Sequence, residues 1–169
     1  MIEGGQMNKT KLKKLFKKTV PKVLLICAAL FLLCLIYCKK LVFNMETLHY
    51  KSWGFGVVLV EYKFDFVRDS VDVYYYDFDG TIISHKEDQF SKEQQREVKV
   101  VCAAAYMPLW RSSYINSRVD DGDQWDITAD YGSMEKSVYG SNAYPRTYRS
   151  VYEKIRSIAD GIGTEHGSL

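Results

Sequence analysis

The run VDVYYYDFDGTI, residues 71 to 82, sets two carboxylates, Asp77 and Asp79, two positions apart at the end of an apolar, aromatic segment. A carboxylate at the end of a strand can serve as a nucleophile, and Asp77 is the candidate for that role. The same letters also suit a turn, because Asp79-Gly80 between two alternating segments is a common hairpin connection in which glycine supplies the positive φ.

The D-x-D-G-T string resembles the signature of haloacid-dehalogenase-type phosphatases, and that resemblance implies a nucleophilic Asp77 with Asp79 beside it. In the family the motif opens a parallel sheet, and later strands deliver a Ser or Thr, a Lys and an acidic pair to the same edge. Here alternating strand material precedes the motif. The next acidic pair, Asp120-Asp121, follows after only about forty residues, too few for the intervening βαβ crossovers. The expectation is therefore a hairpin, with a divergent phosphatase using Asp77 and Asp79 as the alternative function.

Other chemistry is sparse. Asp120, Asp121, Asp123 and Asp126 cluster on an acidic loop, residues 120 to 126, that suits a hard cation such as calcium, but the ligand order and closing glutamate of an EF-hand are absent. His49, His85 and His166 are far apart in sequence and stand in no triad-like context. No catalytic residue, cofactor or metal set is expected from spacing. The candidate binding surface is a polar-aromatic one, Asn142 and Tyr144 with the neighbouring Tyr139, suited to a peptide or glycan. Gly140, Ser141, Asn142 and Pro145 read first of all as a helix lead-in: an unusual glycine angle, capping side chains, and a proline in the first turn.

The stretch Trp125 to Ile155, WDITADYGSMEKSVYGSNAYPRTYRSVYEKI, resembles the ending of small bacterial membrane- or lipid-anchored extracytoplasmic domains of unknown function. In those domains a Trp-led hairpin is followed by GSNAYP and a terminal helix. The resemblance implies a fold and a location but names no activity.

These residues must be carried by something, and the charge pattern says where. Nine lysines against one glutamate leave about +8 on the first forty residues, so about −6 falls on the rest of a chain whose net charge is +2. Between Lys22 and Lys39, VLLICAALFLLCLIYC is apolar on every side of a helix and fenced by lysine, as a bilayer segment would be. No small-residue cleavage site follows it. The lysine excess before the segment points to an N-terminus inside and a C-terminal domain outside, a single pass through the cytoplasmic membrane. An acidic outer part argues against nucleic acid as a partner. MIEGGQ ahead of Met7 fits a bacterial ribosome-binding sequence, so translation starts at Met1 or Met7.

The expected organisation is a basic cytoplasmic segment (1–22), a transmembrane signal anchor (23–43) whose partner is the lipid bilayer, a juxtamembrane connector (44–54), an extracytoplasmic domain (55–160) and a tail (161–169). Within the domain, alternation predicts strands near 55–66, 71–76 and 81–85, a helix opened by the capping box Ser91-x-x-Gln94, strands near 125–131 and up to 139, and a last helix with Tyr148, Val151, Tyr152, Ile155 and Ile158 on one face. The fold class is α+β: one mainly antiparallel sheet, order βββαββα, covered by two helices. The function expected is a non-enzymatic binding or interaction module whose partner is a protein or an envelope component.

Overall fold

The computed structural model describes residues 9–54, 56–119 and 122–162. Asp120, Asp121, the choice between Met1 and Met7, and the tail beyond Ile162 lie outside the described residues. The chain forms two compact units with the boundary between Tyr37 and Cys38.

The first helix, α1, runs from Lys9–Phe43 across that boundary. Its segment Thr19–Phe43, of mean hydropathy 2.5, is long and apolar enough to cross a membrane. Leucine and alanine favour the helix, and Pro21 interrupts its hydrogen-bond ladder near the start of this segment. In the first unit Leu24, Leu25, Ile26, Leu30, Phe31, Leu32, Leu33 and Ile36 are all exposed. Apolar exposure on every side is what hydrocarbon, rather than water, would tolerate.

The last turn of α1 is different. Cys38, Leu41 and Val42 belong to the second unit and are buried in its core, with Val42 completely inaccessible. The anchor expected over 23–43 therefore ends in residues that pack against protein. Leucine and valine carry the same sequence signal in lipid and in a core, so these residues belong both to the apolar span that ends at Phe43 and to the packing of the second unit. The helix is closed by Asn44 N–H donating to the Leu41 carbonyl at 3.0 Å, while Lys99 Nζ donates to the Phe43 carbonyl at 3.0 Å.

The second unit is α+β. Its strands are β1 (Thr47–Gly54), β2 (Val57–Asp65), β3 (Ser70–Tyr76), β4 (Ile82–Gln89), β5 (Ser113–Ile115), β6 (Gln124–Asp130) and β7 (Glu135–Ser141), joined in one sheet of order β4-β3-β2-β1-β6-β7-β5. All neighbouring pairs are antiparallel except β5 with β7. Helices α2 (Lys92–Ala104) and α3 (Tyr148–Gly161) follow β4 and β7, and a 3₁₀ turn, Met107–Leu109, holds Pro108 after α2.

Two corrections to the expected order βββαββα follow. Residues 44–54 are not a connector: β1 is the central strand, paired with β2 on one side and β6 on the other. The short β5 adds an edge beyond β7. The element order is thus four strands, helix, three strands, helix, and the fold class is unchanged.

Local chemistry explains the elements. At α2, Ser91 Oγ accepts from Gln94 N–H and Gln94 Oε1 accepts from Ser91 N–H, so the capping box closes as its letters predict. Lys92 and Gln95 both reach Asp69 Oδ1, tying that helix start to the β2–β3 turn. Val98, Cys102 and Ala103 of α2 and Val151, Ile155, Ile158 and Ala159 of α3 point into the core. The sheet meets them with Leu48, Tyr50, Tyr62, Phe64, Val71, Val73, Ile127, Ala129 and Val138. Successive strand residues alternate sides, so the polar neighbours of these residues are sent to the opposite face, away from α2 and α3.

Candidate functional site

Two places gather functional side chains, one on each face of the sheet. On the uncovered face the ladder register lines up residues from six strands. One row reads His85, Tyr74, Glu61, Lys51, Asp126 and Tyr139 from β4 to β7, and the next reads Glu87, Asp72, Lys63, His49, Thr128 and Ser137.

Glu61 is the hub of these rows. Although it lies on the open face it is only 5% exposed, because its neighbours close over it. His49 Nε2 and the Tyr76 hydroxyl hydrogen-bond its two oxygens, each at 2.5 Å, and Lys51 Nζ and Lys63 Nζ lie 3.4 and 3.3 Å from Oε1. Burial alone would raise this carboxyl, but the hydrogen bonds from Tyr76 and His49, with the attraction of the nearby cations, outweigh it and hold the pKa down at about 2. Burial lowers His49 despite Glu61 beside it, and burial raises Asp126. Burial, with the Glu61 contact, pushes Tyr76 up to about 12. The arrangement is an ionised acid held among donors.

The second place is concave. A cleft of about 410 Å³ opens on the helix-covered side, where the ends of β1 and β6 meet the start of α3. Tyr50, Ser52 and Trp53 of β1 and Leu59 of β2 form one wall, Asp123, Gln124 and Trp125 a second, and Tyr144 to Arg146 with Tyr148, Arg149 and Tyr152 the third. Its volume lies in the range of small-molecule sites. The walls are built from stacked rings. Trp125 lies at 11° to Tyr144 with centroids 6.0 Å apart, Tyr144 meets Tyr148 at 4.8 Å, and Tyr148 lies at 6° to Tyr152 at 5.7 Å. Tyr50 continues the series to Tyr62.

Each ring has a reason to stay in place. Trp125 Nε1 donates to the Ala143 carbonyl at 3.1 Å, and the Tyr50 and Tyr148 hydroxyls are 3.2 Å apart. Burial pushes Tyr50 up to about 12 and Tyr148 higher, so both remain neutral donors and acceptors at physiological pH. Tyr144 is 45% exposed, and its hydroxyl donates to Asp123 Oδ2 at 3.4 Å. Arg149 is occupied by Glu153 at 2.7 Å, whereas Arg146 is exposed and has no ion pair among the described residues. The cleft therefore offers ring faces, hydroxyls, an acid and an uncommitted cation.

The three residues of the sequence-predicted surface separate. Tyr144 lines the cleft. Asn142 sits beside it in the left-handed region at φ 50°, its N–H donating to the Asp123 carbonyl at 2.9 Å. Tyr139 lies on the other face of the sheet, opposite Asp126. The lead-in to α3 also differs from the expected caps. Ser141 ends β7, Pro145 opens a turn closed by Tyr148 N–H, and the residue preceding α3 is Thr147, whose hydroxyl instead donates to the Ala105 carbonyl. Gly140 has no positive φ. Its lack of a side chain makes room for Trp125.

Asp77 and Asp79 stand at the exposed tip of the antiparallel β3–β4 hairpin. Gly80 N–H donates to the Asp77 carbonyl at 2.9 Å, Asp79 Oδ1 accepts from Thr81 N–H at 2.8 Å, and Gly80 takes φ 83°. Those bonds are the ones a turn needs, and neither aspartate lines the cleft. Tyr74 and Tyr76 share a strand face and lie on the open side around Glu61. Of the acidic loop, Asp123 reaches the cleft and Asp126 the open face, on opposite sides of the sheet.

Sequence reasoning named Tyr144 of the cleft but missed the rest of its walls and the whole Glu61 hub. The signal for the Glu61 hub was the polar half of the alternation in β1 and β2, which looks like any solvated strand face until the register is known. These features define an α+β domain with a half-covered, mostly antiparallel sheet, preceded in the sequence by an apolar helix of membrane length. Neither a scan against protein-family models nor a search of curated proteins gives a match to the chain.

Proposed function

We propose that the chain is a membrane-tethered extracytoplasmic binding module, held by its apolar helix in a bacterial cytoplasmic membrane with the N-terminus inside. The observation that carries this reading is the aromatic cleft: stacked, hydrogen-bonded rings beside Arg146 and Asp123 in a volume fit for a small ligand. Lysine asymmetry about the helix supports the orientation, and the GSNAYP ending supports the resemblance to anchored envelope domains. The ligand class that matches the walls is a saccharide bearing a carboxylate. A sugar ring stacks its C–H face on Tyr144 or Trp53, its hydroxyls meet Asp123 and Gln124, and its acid meets Arg146.

Titration of the detergent-solubilised chain with soluble cell-wall glycan fragments tests this. Saturable quenching of tryptophan fluorescence is expected, weakened about tenfold or more by Tyr144→Ala and by Arg146→Ala. Binding that ignores both substitutions, or none at millimolar glycan, would remove the cleft as the site.

A further inference from the structure

At the β3–β4 end of the open face, away from the cleft, Asp72, His85 and Glu87 each bring one donor atom to within 4.8 Å of the other two. The register explains why. Asp72 is directly opposite Glu87 and Tyr74 directly opposite His85, so all three side chains leave the same face of the ladder. Two carboxylates facing each other across antiparallel strands repel. The cation opposite Asp72 on its other side, Lys63, does not answer them: its Nζ lies 3.3 Å from Glu61 and 4.6 Å from the centroid of the Tyr74 ring.

The histidine is already aimed. His85 Nε2 is 2.9 Å from Asp72 Oδ1, and its ring lies flat on Tyr74, 4.3 Å between centroids and 5° between planes. The Tyr74 hydroxyl donates to the same Asp72 oxygen at 3.4 Å, steadying the carboxylate. Glu87 has no hydrogen bond or ion pair among the described residues, so this acid approaches the pair without a partner of its own.

We propose that Asp72, His85 and Glu87 form a surface site for a divalent first-row transition ion of the zinc type. One imidazole and two carboxylates are a mixed nitrogen and oxygen set, which suits zinc, nickel or manganese better than calcium, whose six to eight oxygen ligands three side chains do not supply. The ion takes the place of the proton shared by His85 and Asp72 and draws in Glu87, converting a repulsive cross-strand pair into two ligands. Its remaining coordination positions face solvent, open to water or to an oxyanion on a partner.

The test uses the full chain without a polyhistidine tag, in detergent micelles, stripped with a chelator and titrated calorimetrically with zinc chloride. One equivalent should bind, and His85→Ala and Glu87→Gln should each lower the affinity at least about tenfold while the circular dichroism stays unchanged. Should His85→Ala alter the dichroism, Asp72→Asn replaces it with the same expectation. Cobalt(II) added to the stripped wild type should develop visible bands that zinc, but not an equal concentration of calcium, abolishes. Absence of saturable binding, binding unchanged in the variants, or equal displacement by calcium overturns the assignment.

Discussion

Gly140 lies directly across the β6–β7 ladder from Trp125, and a methyl group built on Gly140 would fall 2.0 Å from the indole Cε2. The indole cannot step aside, because Tyr144 and Tyr148 pack on it and its N–H is committed to the Ala143 carbonyl. Gly140→Ala should therefore displace Trp125, cost about 1–3 kcal/mol and loosen the cleft wall. Urea unfolding followed by tryptophan emission measures both. An unshifted midpoint with native emission would show that the indole has room the structure denies it.

The Glu61 hub predicts a pH dependence with a definite sign. Its folded pKa, about 2, is below the unfolded value near 4.5, so the unfolded chain binds more protons between those values and stability falls as pH falls through that window. The contribution is full above about pH 5. His49, lowered by burial, acts in the same direction starting from its ordinary value of 6.5. In Glu61→Gln the loss between pH 4.5 and 2 should shrink to the share left by Asp69 and Asp79, which are also held below their ordinary value, and the protein should be less stable at pH 7, where Lys51 and Lys63 lose their carboxylate. Urea midpoints of both proteins from pH 7 to pH 2 check this; parallel curves would mean Glu61 is not the group responsible.

Much of the fold was legible because local chemistry and the fold agree along most of the chain. Alternation from Val58 to Phe66, the Ser91 capping box and the Tyr148 to Ile158 stripe each report on their own element. The central strand was not legible. TLHYKSWG alternates for only a few residues, it follows a helix with no loop beyond Asn44 to Glu46, and its identity as β1 comes from partners that are distant in sequence. The sites share that limit. Tyr144 could be named from GSNAYP, but the two polar rows exist only once six strands are set in register, and Tyr139 looks equivalent to Tyr144 until alternation sends it to the other face.

At the β3–β4 tip, Asp77→Asn should leave stability within about 0.5 kcal/mol, since the backbone bonds of Asp77 to Gly80 and Thr81 are untouched and an asparagine Oδ1 can accept from Phe78 N–H as the carboxylate does. Gly80→Val should cost about 1 kcal/mol or more. There is open space around Gly80, so the whole penalty is the backbone at φ 83°. Thermal melts and phosphate release from a generic ester with magnesium, on the same three proteins, separate the two readings of this motif. Magnesium-dependent turnover in the wild type that Asp77→Asn abolishes would establish the nucleophile and displace the hairpin reading.

The end of α1 offers a sharper test of where the second unit begins. If Asn44 marked the start of a connector, a soluble fragment beginning there would be as stable as one beginning at Cys38. The core says otherwise, because Cys38, Leu41 and Val42 are buried in the second unit, and Lys99 hydrogen-bonds the Phe43 carbonyl that the shorter fragment lacks. Losing two large aliphatic side chains from a packed interior, together with the cavity they leave, costs several kcal/mol, offset in part by collapse of the site. The fragment 38–162 should therefore unfold at a clearly higher urea concentration than 44–162, by about 2–5 kcal/mol at equal slope. Leu41→Ala in the longer fragment should recover part of that difference, in the range of about 2–3 kcal/mol. Equal midpoints for the two fragments would return Leu41 and Val42 to the membrane segment and move the domain boundary back to Asn44.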